Sequence, residues 1–95
     1  MRLIYHPEAE AELVDAAEYY EERLPGLGVE FLDAVDAAVD VVVSDPLRPA
    51  LCGQGIRRYL LQRFPYALYY RSSADEIRVL AVKHHSRHPD YWKDR

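Results

Sequence analysis

The sequence predicts a two-layer α+β domain, with an antiparallel helical hairpin covering one face of a mostly antiparallel sheet. Two observations carry this. Helical periodicity fills roughly residues 7 to 43, and short alternating apolar runs follow from residue 56 onward. A third supports it: Pro and Gly cluster between those stretches, where chain reversals belong. With 95 residues and an ordinary apolar fraction of 49%, the chain reads as one domain, 1–95. A chain this short buries only about 60–65% of its unfolded surface, so its core is thin. A partner that covers apolar surface would add to its stability.

Arg2-Leu3-Ile4-Tyr5 reads as a short first strand. His6 opens the first helix, Pro7 suits its first position, and the early glutamates complement the helix dipole. Ala9, Leu13, Ala16 or Ala17, Tyr20 and Leu24 recur at helical spacing and form a stripe for burial. Pro25-Gly26 ends this helix, and Gly28 is expected to help the chain turn. A second helix runs from about Val29 to Val43. Its apolar face is Phe31, Leu32, Val35, Ala38, Val39 and Val42, with Glu30, Asp33, Asp36 and Asp40 opposite. Asp45-Pro46 stops it. So short a link between two helices implies an antiparallel hairpin.

Pro46 to Gly55 reads as a loop, and three strands follow: Ile56 to Arg63, Tyr66 to Arg71 and Glu76 to His84. Phe64-Pro65 and Ser72-Ser73-Ala74-Asp75 separate them at hairpin lengths. Alternation puts Arg57, Tyr59, Leu61 and Arg63 on one face of the first of these, with Arg58, Leu60 and Gln62 on the other. No helix is left to cover the second sheet face. Which face is buried stays open, because Glu76 to His84 contains an almost unbroken apolar run.

The net charge of −4 conceals a division. Residues 1 to 45 carry twelve acids against two bases, whereas residues 46 to 95 carry ten bases against four acids. Helices favour Glu, which accounts for part of the asymmetry. The remainder points to two surfaces with different partners. The acidic stripe reads as the solvated back of the hairpin. No apolar run approaches the roughly 20 residues of a membrane span, and the first residues lack a signal-peptide core. Cys52 is the only cysteine, so no intramolecular disulfide forms and a reducing cytoplasm is the expected compartment.

His84, His85, His88 and Asp90 crowd together, but their spacing matches no standard zinc motif. No metal and no other cofactor is expected. Tyr66, Tyr69 and Tyr70 read as sheet packing, and Trp92 as a pin for the tail.

The ordered strings His6-Pro7-Glu8-Ala9, Asp15-Ala16-Ala17-Glu18-Tyr19-Tyr20 and Gly28-Val29-Glu30-Phe31-Leu32 continue with Arg63-Phe64-Pro65-Tyr66-Ala67-Leu68-Tyr69-Tyr70-Arg71. Last comes Val79 to Trp92, with its His84-His85-Ser86-Arg87-His88-Pro89 core. Together they resemble the RelE/ParE toxin superfamily of type II toxin–antitoxin modules, over nearly the whole chain. The resemblance implies a small toxin neutralised by a cognate antitoxin, with any oligomerisation running through their complex. RelE-like members cut messenger RNA in the ribosome, and ParE-like members poison DNA gyrase. The long hairpin, and the absence of lysine between Ile56 and Arg63, resemble the ParE-like, plasmid-stabilisation branch.

Metal-free RNA cleavage would need a base, an acid and phosphate-binding cations. His84 or His85 with Arg63, Arg71 and Arg87 are the candidates, assisted by Tyr91. Gyrase poisoning asks only for a gripping surface. Arg57, Arg58, Arg63, Arg71, Arg78, Lys83, Arg87 and Trp92 are the candidates for it, and the same surface would take the antitoxin. The expected function is therefore inhibition by binding, with ribonuclease activity as the alternative. A third reading is a binding module that keeps the toxin fold without a target.

Overall fold

The computed structural model describes residues 1–95. The chain runs β1 (Arg2–Tyr5), α1 (Pro7–Arg23), α2 (Leu27–Ser44), β2 (Ile56–Leu60), β3 (Tyr66–Ser72) and β4 (Glu76–His84). The strands form one sheet in the order β1-β4-β3-β2. β2, β3 and β4 pair antiparallel as expected, while β1 joins β4 in parallel, from Arg2 opposite Glu76 to Tyr5 opposite Val79. Parallel partners need a long connection, and here the hairpin, a loop and two strands intervene. The sheet is therefore mixed.

The helix ends follow local chemistry. His6 Nδ1 accepts the Glu8 N–H at 3.1 Å, and Pro7 occupies the first turn. Gly26 makes the turn between the helices with φ of 90°, a conformation that favours glycine. The Glu21 carboxylate of α1 then accepts the Gly26 and Gly28 N–H groups at 3.0 Å, so one helix caps the first turn of the other. Gly28 is not a turn residue, contrary to the sequence expectation. It lies inside α2, where a Cβ would sit 2.6 Å from the Ala17 carbonyl oxygen, so its absent side chain lets the helices touch.

Ala9 and Ala16 of α1 and Phe31, Val35 and Ala38 of α2 are buried over Leu68, Val79 and Val82 of the sheet. Tyr20, Phe31, Phe64 and Tyr66 form an aromatic knot, with ring centroids 4.9 to 6.2 Å apart. Two apolar positions assigned to the stripes are exposed instead: Leu24 (56%) and Leu32 (38%). Leu24 has left the helix, with φ at −155°. Leu32 sits a sixth of a turn or more from the Phe31–Val35–Ala38 line, at the hairpin's side.

β2 ends at Leu60 rather than Arg63. Leu61 and Phe64 turn inward, and Arg63 takes a left-handed φ of 70°, so strand alternation does not extend to Leu61, Gln62 or Arg63. On β4, a register shift opposite Tyr69 and Tyr70 leaves Leu80 without a partner. That bulge explains the apolar run: Val79 and Val82 enter the core beneath the helices, while Leu80 and Ala81 are buried on the other side. Both sheet faces are covered there. The second face carries no helix, but the C-terminal segment lays Trp92 on Tyr69, with centroids 5.0 Å apart.

Candidate functional site

The sheet places the basic residues of the second half in several environments. On the face away from the helices, Arg71 of β3 stands directly opposite Arg78 of β4, and Arg58 projects from β2. All three are exposed or nearly so. Arg78 pairs with Glu76 at 3.2 Å, and Arg2 reaches the same carboxylate at 3.8 Å. Arg71 donates to the Gln54 carbonyl, whereas the Arg58 side chain has no hydrogen-bond or ion-pair partner.

Other candidates lie elsewhere. Arg57 shares the helix-facing side with Tyr59, and its guanidinium donates to the Pro49 carbonyl oxygen at 2.7 Å. Arg63 pairs with Glu30 of α2 at 2.6 Å. Lys83 points to the outer face but is buried, its ammonium donating to the His84 carbonyl. Its burial and that of Trp92 remove both from any open surface. His85 is exposed beyond the end of β4, while His84 packs edge-on against Tyr66.

The most tightly organised polar group was missed by sequence reasoning. Glu12 of α1 is largely buried and accepts the Val82 N–H at 3.0 Å. Its carboxylate also takes two hydrogen bonds from Arg95, at 2.9 and 3.2 Å, and pairs with Arg87 at 3.5 Å. Arg95 in turn donates to the Leu80 carbonyl and pairs with Glu8. β1 pairs only as far as Val79, so β4 is left beyond it with an open edge. Glu12 and Arg95 satisfy backbone groups along that edge, where a longer β1 would have done so. One signal was legible: Glu12 lies at helical spacing between Ala9 and Ala16, on the buried stripe.

Tyr91 closes this cluster. The Arg87 guanidinium lies 3.9 Å from its ring centroid and that of Arg95 lies 5.0 Å away. Its buried hydroxyl makes no well-aligned hydrogen bond, although the Glu12 carboxylate is beside it. Burial first, and Glu12 next, push this phenol well above its usual range against the pull of both arginines. Burial alone would lower Arg95, but its hydrogen bonds and charge contact with Glu12 outweigh that and raise it.

His84 and Arg87 do share a shallow cleft of about 190 Å³ with Glu12, Asp15, Tyr19 and Tyr66. Arg63 and Arg71 are outside it. The candidate nuclease residues are thus scattered: His84 and Arg87 line this cleft, Arg63 lies in the β2–β3 turn, Arg71 on the outer sheet face, His85 beyond the end of β4, and Tyr91 beneath Arg87.

Residues 3–89 match the family model described as the ParE toxin of type II toxin–antitoxin system, parDE. A solved structure described as the chromosomal ParDE TA system from P. aeruginosa is similar in fold, with a TM-score of 0.63. It is 24% identical, and the match covers 88% of this chain and 95% of that one. No curated protein matches.

Proposed function

The chain belongs to the ParE toxin family of type II toxin–antitoxin systems, and from that premise we propose that it acts by binding rather than catalysis, with DNA gyrase as its target. Its partner in such a module is a cognate antitoxin. The observation that carries the binding reading is the dispersal of the candidate catalytic residues. Arg63 is neutralised by Glu30, Arg71 stands on the outer face, and Arg87 is occupied by Glu12 and Tyr91. A cleavage site would need a base, an acid and phosphate-binding cations converging on one scissile bond. Inhibition by binding needs only surface. The exposed arginines Arg58, Arg71 and Arg78 supply charge for a protein–DNA complex or for the antitoxin.

A ribosome-dependent ribonuclease remains the second reading, because His84, Arg87 and Glu12 share one cleft. Induced expression without antitoxin separates the two. Binding to gyrase predicts filamentation and accumulation of cleaved gyrase–DNA complexes, with His84→Ala retaining toxicity. Cleavage of ribosome-bound transcripts, abolished by His84→Ala, would overturn it. Absence of any growth defect would favour a module that binds antitoxin alone.

A further inference from the structure

β4 carries the apolar run Val79-Leu80-Ala81-Val82, and β1 covers its edge only from Glu76 to Val79. The last backbone bond on that side runs from the His6 N–H to the Val79 carbonyl. The chain then turns into α1 at Pro7, which has no N–H to give. Beyond this point, bare strand would be a template for pairing with another chain.

One ion pair occupies the place. Arg95 Nη1 donates to the Leu80 carbonyl at 3.1 Å and to Glu12 Oε1 at 2.9 Å, and the same Oε1 accepts the Val82 N–H at 3.0 Å. A neighbouring strand would supply an N–H and a C=O to those two backbone groups. The guanidinium and the carboxylate supply a donor and an acceptor in their stead. Both side chains are well covered, Arg95 being 9% exposed and Glu12 11%. The opposite edge of the sheet is protected differently. There the Arg58 N–H bonds the Ala50 carbonyl and Leu51 bridges to Arg57, so backbone from the preceding loop runs along β2. The β4 edge beyond β1 is closed by side chains, which can move aside without breaking a strand.

We propose that the Glu12–Arg95 pair is a plug that keeps this edge from pairing with the β4 edge of a second copy of the chain. The Val82 carbonyl points the same way as its N–H, so an antiparallel pair centred on Val82 lets the two copies exchange both bonds. Such a contact is self-complementary about a two-fold axis and asks nothing of any other surface. The run it would join is apolar and rich in valine, which suits strand pairing. A strand arriving while the plug is in place would bury the two charges without their present partners, which is costly. The role of the plug is independent of which target the chain inhibits.

Glu12→Ala/Arg95→Ala removes the plug without stranding a buried charge, so the fold should persist. Arg87, left without Glu12, is exposed enough to stay hydrated. Light scattering over a concentration series should show the parent as a monomer. The double variant should dimerise at a concentration about tenfold lower than the parent, or less, for the two backbone bonds gained. Amide exchange locates the contact: Val82 should be protected in the parent, open in the dilute double variant, and protected again as concentration rises. Glu12→Gln keeps an acceptor oxygen for Val82 and Arg95, and it should stay monomeric. Arg95→Ala bares only the Leu80 carbonyl and decides the matter should the double variant fail to fold. It should dimerise more weakly, with the same response of the Val82 amide. A folded double variant or Arg95→Ala protein that remains monomeric, or a dimer whose Val82 amide stays open, would overturn the proposal. So would a Glu12→Gln protein or a parent chain that already dimerises through this edge.

Discussion

At the scale of single residues, phenols in buried and half-buried sites tie stability to pH. Tyr5, Tyr20, Tyr66, Tyr70 and Tyr91 all have hydroxyls raised above the ordinary 10.0, burial being the largest cause in each. A phenol that resists ionisation when folded contributes its full stability below its unfolded pKa. Above about pH 10 the unfolded chain loses protons that the folded chain retains, so stability falls as pH rises. Urea unfolding midpoints should therefore be level up to that point and decline beyond it. Tyr91→Phe should shallow the decline, since it removes the most strongly shifted group. An unchanged slope would mean that Tyr91 titrates freely in the folded protein.

At the scale of elements, the helical hairpin depends on close approach at one position. Gly28 lets α2 lie against the Ala17 carbonyl, and Glu21 reaches across to cap the first turn of α2. Gly28→Ala would place its Cβ against backbone, which cannot move aside as a flexible side chain can. Ordinarily Ala favours a helix over Gly by about 1 kcal/mol. Here steric overlap should reverse the sign, with a net loss of about 1–3 kcal/mol in chemical denaturation. A stabilised Gly28→Ala protein would show that the helices can separate without cost. Both helix spans and the strand β4 were readable because periodicity and Pro/Gly punctuation are local. The role of Gly28 was not, since a glycine that makes a turn and one that admits a neighbour look alike in sequence.

At the scale of the whole molecule, a short β1 leaves the sheet incomplete, and the C-terminal segment completes it. Glu12 connects α1, the Val82 amide, Arg87 and Arg95, while Trp92 covers Tyr69 on the far side of the sheet. Glu12→Ala would leave the Val82 N–H without its acceptor and the buried Arg95 side chain with only Glu8 and the Leu80 carbonyl. It should cost about 2–4 kcal/mol. It should also loosen the tail, and Trp92, the only tryptophan, reports this directly. Its fluorescence should shift to the red under conditions where the helices remain folded. A blue emission equal to that of the parent would show that packing on Tyr69 holds the tail unaided.

The sequence by itself determined the element order, the helical hairpin, the antiparallel pairing of the last three strands and the charge division. Each depends on spacing, turn chemistry or composition, which are properties of neighbouring residues. The resemblance to the RelE/ParE superfamily was also legible, in ordered strings spread over most of the chain. Only the tertiary structure decided that β1 pairs in parallel, that Leu80 is a bulge and that Glu12 holds the tail. It also sorted the basic residues, sending Arg57 and Arg63 to partners on the helix side, burying Lys83, and leaving Arg58, Arg71 and Arg78 on the open face. Those outcomes turn on contacts between residues far apart in the chain, as with Glu12 and Val82, which are 70 positions apart. No local pattern encodes such a contact, because either residue alone is compatible with solvent.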